Sequence, residues 1–459
     1  MTRIGLEVHV QLQTQTKLFC GCPNKFVKEP NTLVCEYCIG MPGSKPRVNA
    51  KALEFAILIG LALECKISSP TFFSRKSYFY PDMGKNFQIT QYEVPIAHTG
   101  KVKLGQKIIT IKRIQLEEDP ARLVHPSGIG GSQYVLVDYN RSGVPLCEIV
   151  TDPDFESPKE ARDFLQKLSS ILEYLGVFDP NIEGSMRVDA NISMAAQRVE
   201  IKNISGFKDV EKALNYEMIR QKNVIRHGHD VVMETRGWDA VAGVTRSQRT
   251  KEEESDYGYI CEGDLPKFTF AHQQIEKIRA EIPELPDQKV KRYVKELKLK
   301  EELAVSIVSE HDLAEAFEKV IKYIDVQLAS KWFAGEIKKT LNFNNLRLKD
   351  SKLKTDGIIK LLTLVQEKKL TDHTAEMLLR EMVTSSVDPD VKSQSAARIY
   401  DEASIEKSVH EVLGTNAKAV LDYKSGKQES FNFLVGQVMR KTQGRGDPET
   451  IRKLLKKMI

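Results

Sequence analysis

The sequence lacks the marks of several large protein classes. No stretch approaches the roughly 18–20 uninterrupted apolar residues of a membrane-spanning helix, and Met1-Thr2-Arg3-Ile4 enters a strand-like pattern with no signal-peptide core. Seven cysteines among 459 residues, odd in number and without a secretion signal, do not make a disulfide framework. There is no G-x-x-x-x-G-K-[ST], no G-x-G-x-x-G after a strand, no kinase signature and no G-x-S-x-G. The serines, histidines and aspartates suggest no triad. Any nucleotide site is therefore of an unfamiliar kind. Internal repeats and low-complexity tracts are missing too. The expectation is a cytoplasmic globular protein with no membrane partner, its cysteines either free core thiols or metal ligands.

What is present is ordinary in bulk and uneven in detail. Hydrophobic residues make up 41% and charged residues 29%, the balance of a soluble globular chain, and the length predicts two or three domains. The net charge of +5 is concentrated at one end: residues 291–459 hold 31 basic and 25 acidic side chains, and the last twenty hold seven and two. A near-neutral body with a basic tail predicts that a polyanion is gripped by the C-terminal part.

Residues 1–290 read as short alternating runs separated by Gly, Pro and Asn/Asp turns, interrupted by helical periodicity at Lys51–Cys65, Pro158–Leu175 and Val210–His227. The two prolines of Ile282-Pro283-Glu284-Leu285-Pro286-Asp287 mark the main boundary, since proline continues neither a helix nor a central strand. Beyond it the pattern is helical, with a further break at Ser385–Asp390. The fold class is thus α+β: a sheet domain over 1–290, a helical domain over 291–390 and a helical tail over 391–459. The closing helix starts legibly, with Asp447 as N-cap and Pro448 at its first position, and buries Ile451, Leu454, Leu455 and Ile459.

Two cysteine pairs, Cys20-Gly21-Cys22 and Cys35-Glu36-Tyr37-Cys38, stand twelve residues apart. Four thiolates in two close pairs suit a closed tetrahedral zinc, which stabilises and does not catalyse; four reduced thiols or a redox pair are the alternatives. Cys65 and Cys147 read as core residues, and Cys261 has no evident partner.

Strand parity sorts the remaining candidates. Glu7 and His9 oppose Ile4, Leu6, Val8 and Val10; Asp189 opposes Met186, Val188, Ala190 and Ile192; Glu200 and Lys202 oppose Val199 and Ile201. Glu118 shares its face with Ile114 and Leu116, so it points inward, and Glu148 sits inside an apolar run. An inward carboxylate must be paired, protonated or metal-bound. Glu7, His9, Glu118, Glu148 and Asp189 together suit Mg²⁺ or Mn²⁺ better than zinc, and alternatively form a solvated polar face. The stretch Ser77-Tyr78-Phe79-Tyr80-Pro81-Asp82, with Lys85 and Gln88, is either core aromatics beside a turn or a site for a base or a tRNA end. Gly128-Ile129-Gly130-Gly131-Ser132 reads as a flexible turn rather than a phosphate cradle.

Several runs stand in an order that identifies a family. They are Ile4-Gly5-Leu6-Glu7-Val8-His9-Val10, Tyr78-Phe79-Tyr80-Pro81-Asp82, Leu116-Glu117-Glu118-Asp119 and Val137-Asp138-Tyr139-Asn140-Arg141-Ser142-Gly143-Val144-Pro145-Leu146, followed by Arg187-Val188-Asp189-Ala190-Asn191-Ile192-Ser193, Lys202-Asn203-Ile204 and Phe433-Leu434-Val435-Gly436-Gln437-Val438-Met439. Across essentially the whole chain these resemble the B subunits of aspartyl/glutamyl-tRNA amidotransferases. The resemblance implies an antiparallel "cradle" domain followed by helical domains, the last a tRNA-binding tail. It implies an ATP- and Mg²⁺-dependent ligase subunit that phosphorylates the side-chain carboxylate of Asp-tRNA(Asn) or Glu-tRNA(Gln). Ammonia channelled from an amidase A subunit then displaces the phosphate, and a small C subunit completes a heterotrimer. By motif, Glu7, His9 and Glu148 become metal ligands, Glu118 lies at the metal and channel mouth, Asp189 belongs to the kinase site, and Lys76 and Lys85 line the channel. In the basic tail, Arg440, Lys441 and Arg445 sit at a helix junction that suits a tRNA phosphate backbone, with a solvated basic face as the alternative, and zinc on the cysteine quartet would be structural. The chain departs from the bacterial-type run Tyr-Arg-Tyr-Phe-Pro-Glu-Pro-Asp, reading Tyr257-Gly258-Tyr259-Ile260-Cys261-Glu262-Gly263-Asp264 instead. The alternatives are the paralogous E subunit of the archaeal glutamyl-tRNA amidotransferase, which carries an inserted domain before its helical part, and a non-catalytic zinc-containing RNA-binding scaffold.

Overall fold

The computed structural model describes residues 2–126, 128, 132–182, 184–194, 197–250, 257–389, 402–442 and 444–459. The glycine-rich turn at 128–132 and the junction at 390–391 therefore fall largely outside the described residues. Two compact units are present, Met1–Leu285 and Pro286–Ile459.

The first unit is built on a mixed, mostly antiparallel sheet. Its strands are β1 (Arg3–Gln11), β2 (Lys66–Ile67), β3 (Ser74–Ser77), β4 (Phe87–Thr90), β5 (Ala97–Leu104), β6 (Lys107–Glu118), β7 (Arg122–Val124), β8 (Leu136–Asp138), β9 (Pro145–Thr151), β10 (Met186–Ser193), β11 (Val199–Ile204), β12 (Glu234–Asp239), β13 (Val244–Thr250) and β14 (Ile260–Cys261). The main sheet runs β13-β12-β11-β10-β1-β9-β6-β4-β3-β14, with β5 beside β6 and β2 beside β5, while β7 and β8 form a separate pair. Among the described strands only β11 and β12 pair in parallel. The opening strand is thus central, flanked by β10 and β9.

Alternation decides which face of this sheet is dry. Ile4, Leu6, Val8 and Val10 on β1 are at most 1% exposed, and join Ile114, Leu116, Cys147, Ile149, Val188, Ala190 and Ile192 in one core. Each fully buried aliphatic side chain of this kind contributes roughly 1.5–3 kcal/mol relative to exposure. The helices α1 (Ala50–Ala62), α2 (Pro158–Tyr174) and α3 (Phe207–Arg226) cover that core: α1 packs on β5 and β6, α2 on β1 and β5, and α3 on β10. Asn49 caps α1 through the Lys51 and Ala52 amides, and Ser157 caps α2 through Glu160 with Pro158 at the first position. With its apolar face covered by helices, the sheet keeps its polar face for other uses.

The second unit is helical, from Pro286–Glu296 to Pro448–Met458. In its last part Ile405, Val409, Phe431, Leu434, Val438, Ile451, Leu454 and Leu455 form one core. Asp447 caps the closing helix by accepting from the Thr450 amide at 2.8 Å. No helix among the described residues is long and apolar enough to cross a membrane.

Candidate active site

The polar face of the sheet collects acids from five strands. Register sets Glu7 opposite Asp189, His9 opposite Glu148, and Gln115 opposite Glu148. Two clusters result, His9–Glu117–Glu148 and Glu7–Asp189–Glu200, in each of which one ligand atom per residue lies within 4.8 Å of the others. The sequence prediction grouped Glu7, His9, Glu118, Glu148 and Asp189. The structure brings four of these to the polar face, adds Glu117 and Glu200, and leaves Glu118 on the other side. Parity alone already set Glu200 on this face. Glu117 could have been read the same way, because it opposes the inward Glu118.

Three consecutive acids at the end of β6 go to three different places. Glu117 accepts from Thr90 Oγ1 at 2.8 Å and from Gln115 Nε2 at 2.9 Å, with His9 Nε2 4.0 Å away. Glu118, 1% exposed, accepts from Lys85 Nζ at 2.8 Å, the Ile89 amide at 2.9 Å and the Tyr37 hydroxyl at 3.2 Å. Asp119, fully buried, accepts from Arg187 at 2.7 Å and Gln11 at 3.3 Å, with Arg141 Nε 3.4 Å away. Lys85 therefore meets Glu118, whereas Lys76 lies 4.4 Å over the Tyr257 ring and acts electrostatically on Glu117.

Electrostatics separates the two central carboxyls. Burial, then the charges of Glu117 and Glu7, pushes Glu148 well above the ordinary carboxylate range. Burial works against the Glu117 carboxylate as well, but Lys76, His9 and its hydrogen bonds outweigh it and hold Glu117 below that range. Gln115 donates to Glu148 at 2.7 Å, and its own Oε1 is buried with no hydrogen-bond partner. An orphaned acceptor oxygen beside two buried carboxylates and an imidazole fits a hard divalent cation. In the second cluster Lys202 already balances charge, 3.0 Å from Asp189 and 3.2 Å from Glu200, while Asn191 donates to Glu7 at 3.0 Å.

The 257–261 segment, which departs from the bacterial-type run, covers this face with aromatics. Tyr259 stacks on Tyr92 at 3.9 Å, and Arg113 lies over the Tyr92 ring at 5.3 Å. Phe79 and Tyr80 of the other aromatic run are 78% and 48% exposed, so that run is not core.

The four cysteine sulfurs converge. Cys38 lies 3.6 Å from Cys20, 3.8 Å from Cys35 and 3.9 Å from Cys22. Tetrahedral thiolates about 2.3 Å from one ion would stand roughly 3.8 Å apart, so the quartet is compatible with zinc. The hydrogen bond from Cys20 first, and the Lys17 ammonium after it, holds the Cys38 thiol down to about 4, while burial pushes Cys22 up to about 12. Lys17 is fully buried, and sequence reasoning missed it: its Nζ reaches Leu33 O at 2.9 Å, Cys38 Sγ at 3.3 Å and Tyr139 O at 3.3 Å. Cys65 and Cys147 are buried and Cys261 is exposed.

Beside Asp119 opens a cavity of about 670 Å³ whose walls include Lys25, Phe26, Arg122, Arg141 and Arg187. In the second unit Arg440 lines a separate cavity of about 600 Å³ with His373, Met377 and Gly444, and Lys441 is paired with Glu411. Arg445 lies in the turn before the closing helix.

The unit that carries the paired acidic clusters and the cationic cavity falls within a match to the GatB/GatE family. The GatB/GatE catalytic domain matches residues 2–276, and the GatB domain matches residues 315–459. Proteins named as B subunits of aspartyl/glutamyl-tRNA(Asn/Gln) amidotransferase are similar over the full length. The Methanococcoides burtonii protein is 45% identical, over 98% of this chain and 97% of its own. The Saccharolobus solfataricus protein is 44% identical, over 100% and 99%, and that of Thermotoga petrophila 43%, over 99% and 98%. The chain belongs to the family of aspartyl/glutamyl-tRNA(Asn/Gln) amidotransferase B subunits.

Glu148 yields a prediction with a definite sign. A carboxyl whose pKa is raised by folding adds stability below its ordinary value, near 4.5, and loses it as pH rises through the raised value. Glutamine removes that liability while it can still donate to Glu117. In metal-free protein, Glu148→Gln should therefore raise the melting temperature at about pH 8 and change it little at about pH 4. Melting curves in chelator at both pH values test this, and a lower melting temperature at the higher pH would refute it.

Proposed function

We propose that this chain is the phosphorylating and amide-forming subunit of a tRNA-dependent amidotransferase. On this reading it acts with ATP on the side-chain carboxylate of Asp-tRNA(Asn), Glu-tRNA(Gln) or both. The observation that carries it is the convergence of His9, Glu117 and Glu148 beside Glu7, Asp189 and Glu200 on one sheet face. The names of relatives that match over nearly the whole chain support it.

Hydroxide is a poor leaving group from a carboxylate, whereas phosphate leaves an acyl phosphate readily. The substrate carboxylate oxygen attacks the γ-phosphorus and ADP departs; ammonia then attacks the acyl carbon and phosphate departs, with one proton lost from nitrogen. Mg²⁺ held by His9, Glu117 and Glu148, or by Glu7, Asp189 and Glu200, would supply charge neutralisation at the transferring phosphoryl group. Lys202 and Arg187 orient anionic groups along the same face. Arg122, Arg141, Lys25 and the exposed Phe26 suit a nucleotide moiety in the neighbouring cavity. Glu118, paired with Lys85 on the opposite side of β6, is the group that accepts the proton of incoming ammonium. Ammonia would come from an amidase A subunit, with a small C subunit in the complex. A structural zinc on Cys20, Cys22, Cys35 and Cys38 would hold the loop that carries them.

An RNA-binding scaffold does not need such a face. Buried like charges are costly unless something offsets them, and a scaffold offers no offsetting ligand. The E-type reading loses ground because the B-type relatives cover the chain without an insertion.

Three outcomes test these assignments. Glu7→Ala and Glu148→Ala should each abolish tRNA-dependent ATP turnover while tRNA still binds; normal turnover in both would sink the metal-site reading. Replacing Arg440 and Lys441 by Ala should weaken tRNA binding and lower the salt slope by about two, and an unchanged slope would remove the tail from the interface. The purified chain should hold about one zinc, and Cys35→Ser should cost several kcal/mol of stability. Elemental analysis without metal, and four thiols freely titratable in the native state, would exclude it.

A further inference from the structure

The cysteine loop reaches the interior of the catalytic unit through one side chain that neither the metal site nor the kinase chemistry requires. Tyr37, between Cys35 and Cys38, is 5% exposed, and its hydroxyl donates to Glu118 Oε2 at 3.2 Å. Lys85 Nζ contacts the same oxygen at 2.8 Å and lies 4.4 Å over the Tyr37 ring, while the Ile89 amide donates to Oε1 at 2.9 Å. One carboxylate is thus held from three segments: the cysteine loop, the loop after Pro81 and β4.

The loops that carry Tyr37 and Lys85 are locked backbone against backbone. Gly40 has φ +71°, and a Cβ there would stand 2.4 Å from the Gly84 carbonyl carbon; a Cβ on Gly84 would stand 2.6 Å from the Ile39 oxygen. The Ser142 hydroxyl donates to Cys38 O at 2.9 Å, and Phe19 meets the Tyr37 ring edge-on at 6.2 Å. A ring packed in this way has one direction for its hydroxyl. That matters because the terminal torsion of a glutamate is soft, and a lysine ammonium is a point charge that fixes distance better than orientation. The amide on Oε1 and the phenol on Oε2 together define the plane of the carboxylate.

We propose that Tyr37 is a positioning residue for amide formation: through its hydroxyl the cysteine loop orients the Glu118 carboxylate toward the incoming amine. This rests on the reading of Glu118 as the acceptor of the ammonium proton. Tyr37 touches no reacting atom and acts only through Glu118. Two consequences follow from that. The loss on removing the hydroxyl appears in the rate of amide formation and not in substrate affinity, and it vanishes once Glu118 can no longer act.

The experiment uses the full-length chain in its assembled complex, with Tyr37→Phe, Glu118→Gln and the double variant. Phenylalanine keeps the ring, the contact with Lys85 and the packing on Phe19, and an unchanged melting temperature verifies this. Ammonium-dependent amide formation and tRNA-dependent ATP hydrolysis are followed in parallel. Tyr37→Phe should lower kcat for amide formation roughly tenfold, the scale of a lost hydrogen bond to a charged group, with KM for tRNA, ATP and ammonium unchanged and the initial phosphorylation retained. The double variant should be no slower than Glu118→Gln alone, because a residue that acts through another is not additive with it. Losses that multiply in the double variant, or a Tyr37→Phe rate within twofold of the parent, overturn the proposal while leaving the Glu118 assignment standing. A Glu118→Gln protein that forms amide at the parent rate overturns that assignment and this inference with it.

Discussion

The alternation of β1 at the centre of the sheet is the constraint on which the rest of the first unit depends. Ile4, Leu6, Val8 and Val10 must all face the helices, so Glu7 and His9 must both face the other way. A slip of one residue would bury the acids in the apolar core and expose the aliphatics, which makes the register strongly specified. Because β1 is flanked by β10 and β9, the same constraint carries Asp189 and Glu148 to the polar face. The acidic clusters are a consequence of how the core packs.

Accumulating carboxylates on a buried face stresses the fold, and the structure relieves that stress unequally. Lys202 serves Asp189 and Glu200, and Arg141 and Arg187 serve Asp119. Around Glu148 the compensation is incomplete, and Gln115 leaves an oxygen without a partner. Folding stability is given up at the acidic cluster that we propose binds a cation. Perturbed carboxyls of this kind cluster at functional sites, since the charge that destabilises the resting protein is available to a ligand.

The cysteine loop illustrates a different economy. Its four sulfurs suit a closed site with no open position for chemistry, yet the loop contributes to several neighbouring elements. Asn31 exchanges hydrogen bonds with the 137–139 backbone, the Leu33 amide donates to Asn140, and Lys17 bridges Cys38 to Tyr139 O. These contacts hold the segment that presents Arg141 to Asp119 and to the cationic cavity. The loop thereby shapes one wall of that cavity.

The sequence by itself determined several of the elements and the faces of β1, β6 and β10, though not that of Glu148 on β9. Period-two alternation in β1, β6 and β10, Pro158 and Pro448 at helix starts, and Asp447 as a cap are local preferences that the packing follows. The cysteine spacing likewise announced its own convergence. What it could not decide is which strands lie side by side, because pairing over more than a hundred residues is set by the whole core and leaves no mark on either partner. Only the tertiary structure brought Glu117 to His9 and Glu148, and sent Glu118 through the sheet to Lys85 and Tyr37. It alone buried Lys17 among carbonyls and a thiol sulfur, where its ammonium is held by groups from the cysteine loop and from Tyr139. A residue's face is a property of its neighbours in the chain; its partner is a property of the fold.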